Sequence, residues 1–249
     1  MFTKFKTVLS DFDYQDFFKS LLWAIIIAII FRTFLFEPFR IPSSSMVPTL
    51  QVGDYLFTSK YSYGFSRYSF PFGLGPFSGR IFEKMPKRGD VIVFKGMSDP
   101  ETFYIKRLIG LPGDEIQLIG GQVHINNVAV KQIEKGRMKR PSLFSQMITF
   151  TQMEEILDSK VEFTTLLTDT QDLNSFPNQT NTYKVPQGHF FFLGDNRNNS
   201  IDSRYLDNMG YISFDRLVGK AEFILFTSDF SIIELLKNGN ANRALTFIK

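Results

Sequence analysis

The sequence predicts a mostly β domain built of antiparallel sheets and preceded by one N-terminal transmembrane helix. Three observations carry this expectation. An apolar run lies close to the N-terminus. From residue 51 onward, short apolar or alternating segments are bounded by Gly, Pro and Asp turns. No alternation of strand with crossover helix is visible, which argues against a parallel α/β sheet. The 249 residues suffice for one large domain or two modest ones, and 43% are hydrophobic, ordinary for a folded protein.

Residues 1–20 are polar and mixed in sign, with Lys4, Lys6 and Lys19 set against Asp11, Asp13 and Asp16. Residues 21–31 hold no polar side chain; Arg32-Thr33 interrupts, and Phe34-Leu35-Phe36 resumes before Glu37-Pro38. A span needs about 20 apolar residues. The anchor is therefore set at residues 21–36, extending from Phe17 if Lys19 and Arg32 snorkel to the two interfaces. The run is apolar on every face, and Pro38 stops it. Bulky residues follow with no small-x-small site, so a retained anchor is expected rather than a cleaved leader. The upstream lysines favour a cytoplasmic N-terminus, the arginines downstream weakening the bias. This gives a short cytoplasmic segment at 1–20 and an extracytoplasmic β domain at 37–249.

Gly53-Asp54 opens a strand at 55–58. Residues 61–80 carry seven aromatics with Pro71 and Pro76 and read as a loop. It is either a packed surface loop or one whose rings dip into the bilayer. Strands follow at 91–94 and 103–109. A hairpin is expected over 115–125 around Gly120-Gly121, with a turn at Asn126-Asn127. Residues 131–183 are polar with few patterns and read as an inserted, less regular region or a small lobe. Segments 183–193 and 217–227 are strand-like, and 231–249 suit a short amphipathic helix.

Composition excludes several chemistries. There is no Cys, so thiol nucleophiles, disulfides and Cys-ligated zinc are ruled out. The only histidines, His124 and His189, lie far apart and outside any zinc-hydrolase pattern. No metal or cofactor motif is present. A net charge of +3 is too small to argue for nucleic acid.

Three clusters could carry chemistry. In Ile41-Pro42-Ser43-Ser44-Ser45-Met46-Val47-Pro48-Thr49-Leu50 the two prolines stiffen the backbone around three serines. That suits a positioned nucleophile and equally an ordinary surface turn. Lys106 shares a strand face with Tyr104 and Leu108. Buried there, it would lose affinity for its proton and become a base for serine. Moving a lysine pKa from about 10.4 to about 7–8 costs roughly 3–4 kcal/mol. The alternative is a strand lysine reaching solvent, and there are many other lysines, Lys60 and Lys95 among them. Residues 194–205 hold five Asp or Asn and two Arg, a loop stitched by its own side chains.

Taken together, these blocks resemble the bacterial type I signal peptidases (leader peptidases). The resemblance covers residues 41–205 in the family's order, behind an anchor as the family has. It rests on the serine strip, Gly53-Asp54 through Lys60-Tyr61, Arg88-Gly89-Asp90-Val91 through Tyr104-Ile105-Lys106-Arg107 to Gly113-Asp114, and residues 194–204. It implies a barrel-like catalytic domain with a smaller inserted lobe at about 118–185. It further implies a membrane-bound serine endopeptidase, without cofactor or metal, that cleaves signal peptides from exported preproteins at the bilayer. The site would be the extracytoplasmic (periplasmic) side of the bacterial inner membrane, on a single-pass chain. Ser45 matches the nucleophile and Lys106 the general base. Ser43 matches the hydroxyl that joins the Ser45 amide in an oxyanion hole, and Ser200 the serine that orients the lysine. Asp202 and Arg204 match a supporting ion pair, with Asp195 in a similar role. Phe39, Ile41, Leu50, Tyr104 and Ile105 match shallow substrate pockets.

The chain departs from the family pattern at Ser44, where Gly is usual, at Ile201, where a smaller residue is common, and at Asn198, which replaces a frequent Asp. A second anchor and the cysteine pair of some members are missing. Two rivals remain. A self-cleaving repressor on the same scaffold would need a DNA-binding N-terminus. An inactive membrane-tethered β binding module would find Ser45 and Lys106 dispensable.

Overall fold

The structure is a computed structural model that describes residues 13–70, 73, 75, 78–141, 147–158, 161–169, 172–227 and 243–248. It opens on helix α1 (Tyr14–Phe34). Asp13 caps it, its carboxylate accepting from the Gln15 and Asp16 amides. At 1.5 Å per residue its 21 residues reach roughly 30 Å, about the thickness of a bilayer's hydrocarbon core. Its large apolar side chains face outward on all sides, and Thr33 is its one buried residue. Among the described residues it is the one helix long and apolar enough to cross a membrane.

The rest is mostly antiparallel β, as expected. One eight-stranded sheet runs β1 (Phe36–Arg40), β2 (Asp54–Ser59), β16 (Leu217–Thr227), β5 (Val91–Lys95), β6 (Phe103–Gly110), β14 (His189–Leu193) and β15 (Ile212–Ser213), with β17 (Thr246–Phe247) on β16. The 11-residue β16 has β2 and β5 on its two sides; at Gly219 a Cβ would lie 2.3 Å from the Ser59 carbonyl. A four-stranded sheet joins β13 (Tyr183–Lys184), β7 (Glu115–Ile119), β8 (Gln122–Ile125) and β9 (Val128–Ala129). The β7–β8 hairpin turns on Gly120 and Gly121, both at positive φ, as the sequence suggests. Small strands β3 (Phe65–Ser66) and β4 (Arg80–Ile81) pair with each other.

Several expectations need correction. The insert is not irregular: β10 (Lys131–Pro141), β11 (Met147–Leu157) and β12 (Val161–Thr168) form a three-stranded antiparallel sheet. Much of this sheet is half-buried on both faces, so polar side chains appear on both and the period-2 signal is lost. The 61–80 loop contains β3, β4 and a 3₁₀ turn at Arg67–Ser69. The 183–193 segment splits into β13 and β14, because Pro186 lacks an N–H and Gly188 sits at φ 71°. Most of the helix expected at 231–249 lies outside the described residues; where the chain is described, Thr246–Phe247 form β17 instead.

Three apolar clusters fill the body. Phe94, Phe190 and Phe192 are fully buried in one. Ile41, Met46, Leu50, Val91 and Ala221 belong to another. The inserted sheet is sewn to residues 194–198. The Leu166 amide donates to the Asp195 carbonyl at 2.8 Å, and the Arg197 amide returns to the Leu166 carbonyl at 3.0 Å. Glu155 on β11 accepts from the Arg197 guanidinium at 2.5 Å, with both side chains out of solvent. Removing one partner of such a pair strands the other charge. Glu155→Ala is expected to destabilise the protein by about 3–5 kcal/mol, measured by urea unfolding in detergent; a loss under about 1 kcal/mol would show the pair to be dispensable.

Candidate active site

The serine strip lies between β1 and β2. Ile41 extends their ladder, donating to the Asp54 carbonyl and accepting from Gly53, both at 2.8 Å. Past Ile41 the chain turns, and Met46, Val47 and Leu50 drop into the core. Those three anchors fix Ser45 at the edge of the sheet, 7% exposed.

Lys106 is on the interior strand β6, opposite Ile92 of β5. On its other side β14 pairs only as far as Leu193, opposite Arg107. The strand then gives way to residues 194–205, which opens a place for the Lys106 side chain beside Ser45. Lys106 is 4% exposed, and its Nζ donates to Ser45 Oγ in a short hydrogen bond. The amine has no other hydrogen-bond partner among the described residues. Burial pulls its pKa from 10.5 down to about 8. The Asp202 and Asp195 carboxylates resist that fall and Arg204 adds to it.

Ser43 Oγ is 3.3 Å from Ser45 Oγ. The Ser45 amide has no partner among the described residues, so two donors stand beside the Ser45 hydroxyl. Ser200 is buried at the same cleft, and its hydroxyl makes no well-formed hydrogen bond to Lys106 or to any other described group. It lies close enough to Asp202 to lend a minor part of what keeps that carboxylate ionised. Burial opposes ionisation of Asp202, but Arg204 and the Gly194 amide outweigh it and hold its pKa below the usual carboxylate value.

Gly194 makes this convergence possible. A Cβ there would meet Ser200 Oγ at 2.2 Å and the Ser45 carbonyl at 2.6 Å. Its amide donates to Asp202 at 3.0 Å. Arg204 is doubly bonded to Asp202, at 2.8 Å in both contacts.

Other contacts escape sequence reasoning. Arg107, fully buried, forks onto both oxygens of Asp195 at 2.8 and 2.7 Å and rests its guanidinium 4.0 Å from the Phe163 ring. Asp195 also accepts from the Thr49 hydroxyl at 2.5 Å. Asn196 bonds the Ser45 and Ser44 carbonyls, and Asn199 the Ser44 hydroxyl at 2.8 Å. Asn198 accepts from the Thr168 amide and donates to Asn178, both at 2.8 Å, a pairing that an Asp could not complete. The Asp/Asn density at 194–205 was the available signal; the partners, far off in sequence, gave none.

The cleft over these groups holds about 400 Å³ and is walled by Tyr104, Ile201 and Tyr205 as well as by the serines. Of the five pocket candidates, Tyr104 lines it, while Phe39, Ile41, Leu50 and Ile105 pack together in the adjoining apolar cluster. Ile201 is largely exposed at its rim. The two histidines are elsewhere, each ring bonded to a carbonyl two residues back. Among the described residues no cluster is arranged to hold a metal ion. A serine hydroxyl bonded to a lysine amine of lowered pKa, with amide and hydroxyl donors alongside, is equipped for acyl transfer.

The chain is similar to known proteins of one family. The family model described as signal peptidase, peptidase S26, matches residues 14–226. A signal peptidase I of Rickettsia typhi is 39% identical over 231 residues, 88% of this chain and 85% of that protein. One from Rickettsia prowazekii is 38% identical over the same shares. A crystal structure of a signal peptidase I from Enterococcus faecalis is 26% identical, covering 55% of this chain and 97% of that one with a TM-score of 0.32. The chain belongs to the signal peptidase S26 family.

Proposed function

We propose that this protein is a membrane-anchored serine endopeptidase that removes N-terminal signal peptides from exported preproteins. The observation that carries the reading is the Lys106 amine, buried and hydrogen-bonded to Ser45 at the floor of an open cleft. Neutral Lys106 takes the Ser45 proton as the oxygen attacks the scissile carbonyl carbon. The oxyanion is held by the Ser45 amide and the Ser43 hydroxyl. Collapse breaks the C–N bond, and Lys106 delivers its proton to the departing amine. Water then attacks the acyl-serine ester, giving its proton to Lys106; the ester breaks, Ser45 regains the proton and the new carboxylate leaves.

The anchor gives the enzyme its address. One residue separates α1 from β1, and Ser45 follows β1 by five, so the nucleophile is tied closely to the end of the helix. A signal peptide's own apolar segment lies in the same bilayer. The lysines upstream of α1 favour a cytoplasmic N-terminus, with the catalytic domain on the extracytoplasmic face of the inner membrane. Phe39, Ile41, Leu50 and Ile105 floor the substrate pockets, Tyr104 and Ile201 bounding them. Ser200 acts through packing against Gly194 and through Asp202.

The direct test incubates the detergent-solubilised protein with a secretory preprotein and maps the new N-terminus by mass. Ser45→Ala is expected to abolish cleavage without changing the thermal melt; unchanged processing would exclude Ser45 as the nucleophile, and a wild-type protein that does not cleave would leave the inactive-module reading standing. Ser43→Ala, losing one of two oxyanion donors, is expected to lower kcat about a hundred- to a thousandfold with little change in KM.

Two pH effects follow from Lys106. Only its neutral form is a base, so kcat/KM is expected to rise about tenfold per pH unit and level off near pH 8, where the amine titrates. A profile flat from pH 6 to 9 would exclude it as the base. The unfolded chain binds this proton more tightly, pKa 10.5 against about 8. Stability therefore carries the whole penalty below pH 8 and regains it as pH climbs toward 10.5. Lys106→Met keeps the length and removes the charge; it is expected to be inactive yet up to about 3 kcal/mol more stable at pH 7, by chemical denaturation.

A further inference from the structure

A cavity of about 680 Å³ lies where α1 meets the β domain, away from the cleft. One wall is the helix face Ile25, Ala28, Ile29 and Arg32, at i, i+3, i+4 and i+7. Seven residues of helix rise roughly 10 Å. The wall therefore starts among hydrocarbon-facing side chains and finishes on a cation in the last turn of the helix.

The end of the cavity near Arg32 is cationic. Glu37 is gripped by both Arg32, at 2.6 Å, and Lys60, at 2.7 Å, which leaves that trio with one positive charge. Lys95, 9% exposed, donates to the Glu101 carbonyl at 2.8 Å and lies over the Phe103 ring, 3.8 Å from its centroid, which leaves its ammonium a further proton to donate. Arg67, exposed, has no carboxylate partner among the described residues. Against the four cations the lining sets two carboxylates, Glu37 and Glu101, so the cavity has a formal charge of +2. A cationic end joined to an apolar wall at a bilayer boundary has the layout of a phospholipid: a phosphate at one end and an acyl chain at the other.

We infer that this cavity binds one phospholipid, its phosphate between Arg32, Arg67 and Lys95 and its upper acyl chain along Ile25 and Ile29. The inference rests on α1 crossing a bilayer. It does not involve the catalytic groups. The bound lipid would brace the helix against the domain beside the Arg32–Glu37–Lys60 cluster.

The test is native mass spectrometry of the full-length protein, delipidated in dodecyl maltoside and titrated with dioleoylphosphatidylglycerol. One tightly retained lipid per chain is expected. Arg67→Gln, an exposed change, is expected to weaken retention roughly tenfold, the worth of one charge-assisted contact. Ile29→Trp, which fills the apolar wall, is expected to weaken it as well. Dioleoylglycerol, which lacks the phosphate, and inorganic phosphate, which lacks the chain, should each fail to compete. Undiminished retention by both variants overturns the site. Equal competition by dioleoylglycerol reduces the cavity to a greasy groove, and displacement by inorganic phosphate alone makes it a soluble-anion site; either overturns the proposal. Cleavage of a short soluble peptide in the same lipid-free detergent reports the proteolytic reading separately, and Arg67→Gln should leave it unchanged.

Discussion

A primary amine is buried beside a serine hydroxyl, and the surrounding structure is organised to tolerate it. Left to itself, Lys106 would take a proton and drag water after it. Burial makes the charged form expensive, yet two carboxylates nearby make it less so, and the balance leaves a pKa of about 8. Neither extreme would serve. With no carboxylates the amine would be too weak a base to take a serine proton, and with full solvation it would stay protonated at neutral pH. The carboxylates are themselves restrained: Asp202 is answered by Arg204 and Asp195 by Arg107. Each charge near the amine thus has an owner, and the residual field at Nζ is set by distances that the fold holds rigid.

That rigidity comes from residues 194–205 acting as a clamp. They bind the serine strip through Asn196 and Asn199, the strand β6 through Asp195, and the inserted sheet through Arg197 and Asn198. Three parts of the chain with no sequence proximity meet on one loop. The inserted sheet is therefore more than an appendage, since its hydrogen bonds end on the same turn that carries Ser200 and Asp202.

How much of this was legible depended on range. The apolar helix, the strands at 91–94 and 103–109, and the Gly120-Gly121 hairpin are local patterns and read directly. The serine strip and Lys106 were visible as residues, and the resemblance to a family pointed to them; burial of Lys106 was inferred and is seen. Arg107–Asp195 and Glu155–Arg197 join residues 88 and 42 apart, and nothing in either member predicts its partner. The insert was legible as a lobe, but its three strands were not, because a sheet wetted on both faces shows no alternation. The reach of Asn198, which uses both ends of its amide, also lay beyond any local rule.

Helix α1 is apolar all the way round, and lipid offers such a rod no reason to prefer one azimuth over another. The angle at which the catalytic cleft addresses the membrane is therefore decided at the domain end. There Arg32 and Lys60 share Glu37, and the Phe34 ring meets Phe65 and Phe70 edge-on. In a bilayer such an anchor would supply tether and depth, and this short knot would supply heading. A change at Glu37 would leave the protein in its membrane with its chemistry intact and its aim lost.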